Sequence, residues 1–150
     1  MEFVLENKYL APAINFLQGM KLKGTASLAR SKMVKLINAK YEEMLADQNL
    51  LLNEYGARSD YSKPVSDSNP LEQDEKGAIT IQRDKLSEFK TAHTALLNQK
   101  TEISGGTYVT HVSDVVEIID NYAFDHELEG NDAEVYLELH EALTNETEGK

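Results

Sequence analysis

The apolar positions of this chain fall mainly at helical spacing. Leu10, Ala13, Ile14 and Leu17 follow an i, i+3, i+4, i+7 pattern, which predicts a first helix over roughly Lys8 to Gly19. Asn7 is its expected N-cap, and Pro12 sits in the first turn, where a missing N–H matters least. After the basic turn Lys21 to Ser27, a stretch without Pro or Gly predicts a long second helix over about Ala26 to Tyr55. Its apolar seam runs Met33, Ile37, Tyr41, Met44, Leu51 and Tyr55, interrupted by Gln48 and widened by Leu36, Leu45 and Leu52. Such a helix is ~45 Å long, so some of it is expected to project or to pair with a second copy. Gly56 is its expected stop.

Three later helices carry the same period. They are expected over about Lys85 to Gln99 (Leu86, Phe89, His93, Leu96, Leu97), Asp114 to Tyr122 (Val115, Val116, Ile119, Tyr122) and Asp132 to Thr144 (Ala133, Tyr136, Leu137, His140, Leu143), with Asp84 and Ser113 as caps for the first two. Strand-like alternation is confined to short pieces: Glu2 to Glu6, Ala78 to Gln82, and a strand pair or hairpin within Thr101 to Thr110 around Gly105-Gly106. The expected fold class is α+β, predominantly α-helical, with a long second helix and a small two- to three-stranded sheet covered by helices on one side. A single domain over 1–150 is expected: a helical N-terminal region over 1–56, a mobile loop over 57–77 rich in Ser, Pro and Asn, and a C-terminal region of mixed strand and helix over 78–145.

Charge changes the picture more than composition does. Residues 1–40 hold seven Lys/Arg against two acids, whereas Thr101 to Gly149 holds 13 acids and no Lys or Arg. The formal net charge is −11. The plainer reading of the acidic run is a solvated surface; the functional reading is a surface aimed at a basic partner, including mimicry of nucleic acid. Strong acidity counts against duplex binding, which needs phosphate neutralisation. The basic cluster Lys21, Lys23, Arg30, Lys32 and Lys35 spans a turn and a helix start, the one place with a nucleic-acid footprint. Its plainer reading is a solvated helix face, with weak pairing to the acidic C-terminal half of the same chain as an option.

Candidate chemistry is sparse. The absence of cysteine excludes disulfides, thiolate metal ligands and a thiol nucleophile. His93 and His140 lie on apolar helix faces and read as hydrogen-bonded core residues, while His111 reads as a surface or cap residue. His126 sits within Asp125 to Asp132 among acids, but the run lacks the ligand order of a calcium loop. No nucleophile elbow, phosphate loop or paired-histidine metal motif occurs. The expectation is therefore a non-enzyme with no catalytic residue, metal or cofactor. No membrane span or signal peptide is expected, which fits an intracellular protein.

The segments Leu5-Glu6-Asn7-Lys8-Tyr9-Leu10 and Leu22-Lys23-Gly24-Thr25-Ala26-Ser27-Leu28-Ala29-Arg30 resemble a family of small proteins of tailed phages and prophages of Gram-positive bacteria. The likeness is clearest over residues 1–56 and looser over 78–144. Leu28 stands where a basic residue is expected in the motif, which counts against nucleic-acid binding. The family carries no assigned activity. The resemblance implies a phage-encoded accessory protein in the host cytoplasm or associated with the virion; the long helix and the acidic half point to contact with a phage structural protein or a host factor, with homodimerisation as a further option. Candidate partner-binding residues are Tyr41, Met44, Leu51 and Tyr55 on the long helix, with Glu127, Glu129, Asp132, Glu134 and Glu138 on the acidic half. The alternatives are an acidic nucleic-acid mimic or anti-defence inhibitor of a host nucleoprotein, and weak nucleic-acid binding through Lys21 to Lys35.

Overall fold

The computed structural model describes residues 2–104 and 112–148. In chain order the elements are β1 (Glu2–Glu6), α1 (Leu10–Gln18), α2 (Gly24–Tyr55), α3 (Leu86–Asn98), β2 (Lys100–Ser104), α4 (Val112–Asp125) and α5 (Asn131–Glu148), with short 3-10 turns at Asn7–Tyr9 and Arg83–Lys85. The protein is α+β and predominantly helical, as the periodicity predicts. It divides into two compact units, Met1–Glu42 with Asn98–Lys150, and Glu43–Leu97.

In the first unit, β1 and β2 pair antiparallel, with Phe3 opposite Ile103 and Val4 opposite Glu102. Phe3, Leu5 and Ile103 are buried while Val4 is exposed, so the two-residue pleat leaves one face of the sheet for the helices. Leu10, Ala13, Ile14 and Leu17 of α1 are buried as their spacing requires, joined by Phe16. Ala29, Met33 and Ile37 of α2, Val115 and Ile119 of α4, and Val135, Leu139, Ala142 and Leu143 of α5 complete this core. On α5 the expected Leu143 is buried, and Tyr136 and His140 are half-buried, but Ala133 and Leu137 are exposed and Val135 and Leu139 take their place. An acidic helix holds few apolar residues, and the stripe through Ala133 and Leu137 competes with that through Val135 and Leu139. Packing selects the β-branched and leucine pair that fills more volume.

Asn7 does not cap α1. It lies inside the 3-10 turn and is 4% exposed. Its N–H donates to the Gln99 carbonyl at 2.9 Å, and Thr101 Oγ1 donates to its Oδ1. Burial of an amide without partners costs about 1–3 kcal/mol, so these bonds fix the turn against the start of β2. Ser113 likewise falls inside α4, which begins at Val112. The residues around Gly105-Gly106, and His111, lie outside the described residues.

In the second unit, the C-terminal half of α2 and α3 bracket a long connection. Tyr55 and Phe89 meet edge to face at 6.1 Å, and Phe89 stacks on His93 at 5.5 Å. The His93 ring lies 3.4 Å from Gln48 Oε1. The expected strand Ala78 to Gln82 is instead a set of isolated bridges, Gln73 to Ile79 and Gly56 to Ile81, because its two ends pair with different irregular segments. Gly56 ends α2 through close approach. A Cβ there would meet the Leu52 carbonyl at 2.5 Å and Leu71 at 2.6 Å. Segment 57–77 is cross-linked by its own polar groups. Asn69, 5% exposed, donates to the carbonyls of Asp60, Lys63 and Pro64 and accepts from the Asp60 N–H at 3.1 Å. Arg58 donates to the Asn53 and Lys63 carbonyls.

Candidate functional site

The acidic half of the sequence becomes an antiparallel-type pairing of α4 with α5, closed by the turn 126–130 with Gly130 at φ 53°. Asp120 holds the pair together on its outer side. Tyr136 Oη donates to Asp120 Oδ1 at 2.7 Å, and His140 Nδ1 donates to the same oxygen at 2.9 Å. The first of these bonds pushes the Tyr136 phenol above its ordinary pKa. His126 stacks on Tyr122 at 4.0 Å, and its Nδ1 donates to the Tyr122 carbonyl. Both histidines are therefore engaged with neighbours in the fold.

One turn beyond Asp120, Phe124 is 91% exposed, and between Tyr136 and His140 on α5, Leu137 is 50% exposed. Phe124 is one helical turn from Asp120, and Leu137 lies between the two residues bonded to Asp120, so both apolar side chains belong to the outer side of the α4–α5 pair. Glu117, Asp125, Glu127, Glu129 and Asp132, on α4, the turn and the start of α5, are exposed as well. An exposed phenylalanine in an acidic stretch, with no lysine or arginine between Thr101 and Gly149, is a distinctive surface feature among the described residues of the first unit.

The sequence-expected residues are distributed differently. Glu127, Glu129 and Asp132 lie on this face. Glu134 instead accepts from Tyr9 Oη at 2.7 Å, a bond that raises the Tyr9 pKa from 10.0 to about 12. Glu138 is half-buried; burial, then the charges of Glu141, Glu6 and Glu134, hold its carboxyl above the ordinary range, against the opposing pull of Lys8. On α2, Met44 is buried, and Tyr41, Leu51 and Tyr55 are half-buried. Tyr41 belongs to the first compact unit and the other three to the second. Of the basic cluster, Lys21, Lys23 and Lys35 are exposed and Lys32 is half-buried. Arg30 turns inward: its Nη1 donates to the carbonyls of Leu17 and Met20 at 2.8 and 2.9 Å.

Periodicity does not single out Phe124, because it lies off the apolar stripe of α4. That displacement is itself the available signal. Among the described residues no group of three or more His, Asp or Glu is placed to hold a metal ion, and no helix is long and apolar enough to cross a membrane. No protein-family model, curated protein or solved structure matches the chain.

Proposed function

We propose that this chain is a non-enzymatic accessory protein that works by protein–protein contact, with the outer face of α4 and α5 as its binding surface. The exposure of Phe124 among acids carries this reading. A phenylalanine held in water loses nothing by leaving it, and transfer of its ring contributes about 1.5–3 kcal/mol on burial. The carboxylates of the same stretch steer a basic partner and reject acidic ones. An exposed apolar anchor on the acidic stretch supports a protein partner that offers an apolar pocket beside its basic groups, whereas phosphate mimicry calls for the carboxylates alone. The resemblance of residues 1–56 to small phage proteins supplies the setting, a phage-encoded factor engaging a phage structural protein or a host factor.

The test is a comparative pull-down from infected host lysate with wild type and with Phe124→Ser/Leu137→Ser. Both positions are exposed, so the double variant keeps the fold. A protein held by wild type and lost by the double variant supports the reading. Identical sets of bound proteins overturn it.

A further inference from the structure

The α4–α5 face calls for a basic helix with an apolar anchor, and the first unit carries one. On α2, Leu28, Lys32 and Lys35 follow at i, i+4 and i+7 and share the side turned away from the buried Met33 and Ile37. Leu28 is 58% exposed, and Lys35 is exposed, as are Lys21 and Lys23 in the turn before the helix. This face adjoins the acidic one. A groove of about 280 Å³ between α2 and α4 is lined by Thr25 and Ala26 of α2 and Asp114, Glu117, Ile118 and Asn121 of α4.

We infer that two copies of the chain pair across a twofold axis, α2 of each copy lying on the α4–α5 face of the other. Charge decides the arrangement. Residues 1–40 carry seven Lys/Arg against two acids, and Thr101 to Gly149 carries 13 acids and no Lys or Arg. Acidic face on acidic face, or basic on basic, sets like charges together and is disfavoured at a close interface. Only the reciprocal arrangement opposes unlike charges while bringing Leu28 beside Phe124 and Leu137. Because the two faces adjoin through the groove, a single twofold operation satisfies both at once and closes the assembly. This inference rests on the reading of the α4–α5 face as a protein-binding surface and names its occupant.

The experiment is light scattering on the full chain after size exclusion, at about 50 mM and about 500 mM salt. Wild type is expected at twice the 16.8 kDa of one chain, with roughly tenfold weaker association at the higher salt. Leu28→Glu/Lys35→Glu and Phe124→Lys/Leu137→Lys are each expected to be monomeric, with unchanged circular dichroism. Mixing the two restores the pair, since each altered face then meets its opposite charge. A wild type that stays monomeric at about 200 µM, a dimer that survives in both variants, or an open polymer overturns the inference. The monomeric outcome leaves the protein-binding reading standing, because that reading falls only when Phe124→Ser/Leu137→Ser retains every bound protein.

Discussion

Arg30 Nη1 donates to the Leu17 carbonyl across thirteen residues, at 2.8 Å, and to the Met20 carbonyl at 2.9 Å. The last carbonyls of a helix have no partner within it and carry its negative dipole end. α1 carries no basic residue in its last turn, so a guanidinium from the next helix takes that place. Arg30→Ala should lower stability by about 1–3 kcal/mol, the cost of losing charged hydrogen bonds to part-buried carbonyls. Arg30→Lys should recover only some of it, because an ammonium lacks the fork geometry. Urea denaturation of the two variants checks both statements. If Arg30→Ala is neutral, the contact is not what ends α1.

Asn69 organises segment 57–77 from within. Its amide donates to three carbonyls and its oxygen accepts from the Asp60 N–H. Asn69→Ala leaves the Pro64 carbonyl and the Asp60 N–H without that side-chain partner, with Arg58 still donating to the Asp60 and Lys63 carbonyls, at a cost of about 1–3 kcal/mol. Asn69→Asp should be worse, since a carboxylate would face carbonyl oxygens. Hydrogen exchange should speed up over residues 58–69 in both variants. Unchanged protection there would mean that Arg58 and the backbone turns suffice.

How much of this can be read from the chain follows a physical line. Leu10, Ala13, Ile14 and Leu17 are legible because four apolar residues at helical spacing leave one face to bury. The length of α2 is legible because nothing in it breaks a helix. On α5 the reading holds for Leu143 and fails for Ala133 and Leu137: one acidic helix offers two apolar stripes, and only the packing of Val135 and Leu139 chooses between them. Asn7 and Arg30 escape the sequence for a related reason. A cap and a surface cation are local readings, whereas their partners, Thr101 and Gln99 for Asn7, Leu17 and Met20 for Arg30, are brought in by tertiary structure. The acidic half is visible as charge. That it holds an exposed Phe124 requires knowing which face of α4 is covered.

Tyr9 ties the turn before α1 to α5 through Glu134. The bond to the carboxylate, then burial and the charges of Glu138, Glu134 and Glu6, raise its phenol from 10.0 to about 12. A raised pKa means that the folded chain holds the proton more tightly than the unfolded one. The stabilisation is therefore complete below about pH 10 and is lost as pH rises towards 12. Tyr9→Phe should cost at most about 1 kcal/mol at neutral pH, with the gap to wild type closing across that alkaline range. Denaturation of both proteins at stepped pH measures it. A gap independent of pH would assign the contact to packing.

Glu138 presents the opposite opportunity, since its charge is a burden to the fold. Burial comes first among the causes, followed by Glu141, Glu6 and Glu134, with Lys8 pulling the other way. Its folded pKa is raised, so the favourable state is the protonated one: the contribution is present below the ordinary carboxylate range and is lost as pH rises through the folded value. Glu138→Gln keeps the shape and removes the charge. At neutral pH it should stabilise the protein by about 0.5 kcal/mol, the scale of like-charge repulsion at i, i+3 and i, i+4 spacing. At acid pH, where wild-type Glu138 is already neutral, the two proteins should unfold alike. Added salt should shrink the neutral-pH difference by screening the three neighbouring carboxylates. Thermal unfolding at two pH values and two salt concentrations separates these effects. A Glu138→Gln variant less stable than wild type at neutral pH would show that attraction to Lys8 outweighs burial and the three acids together.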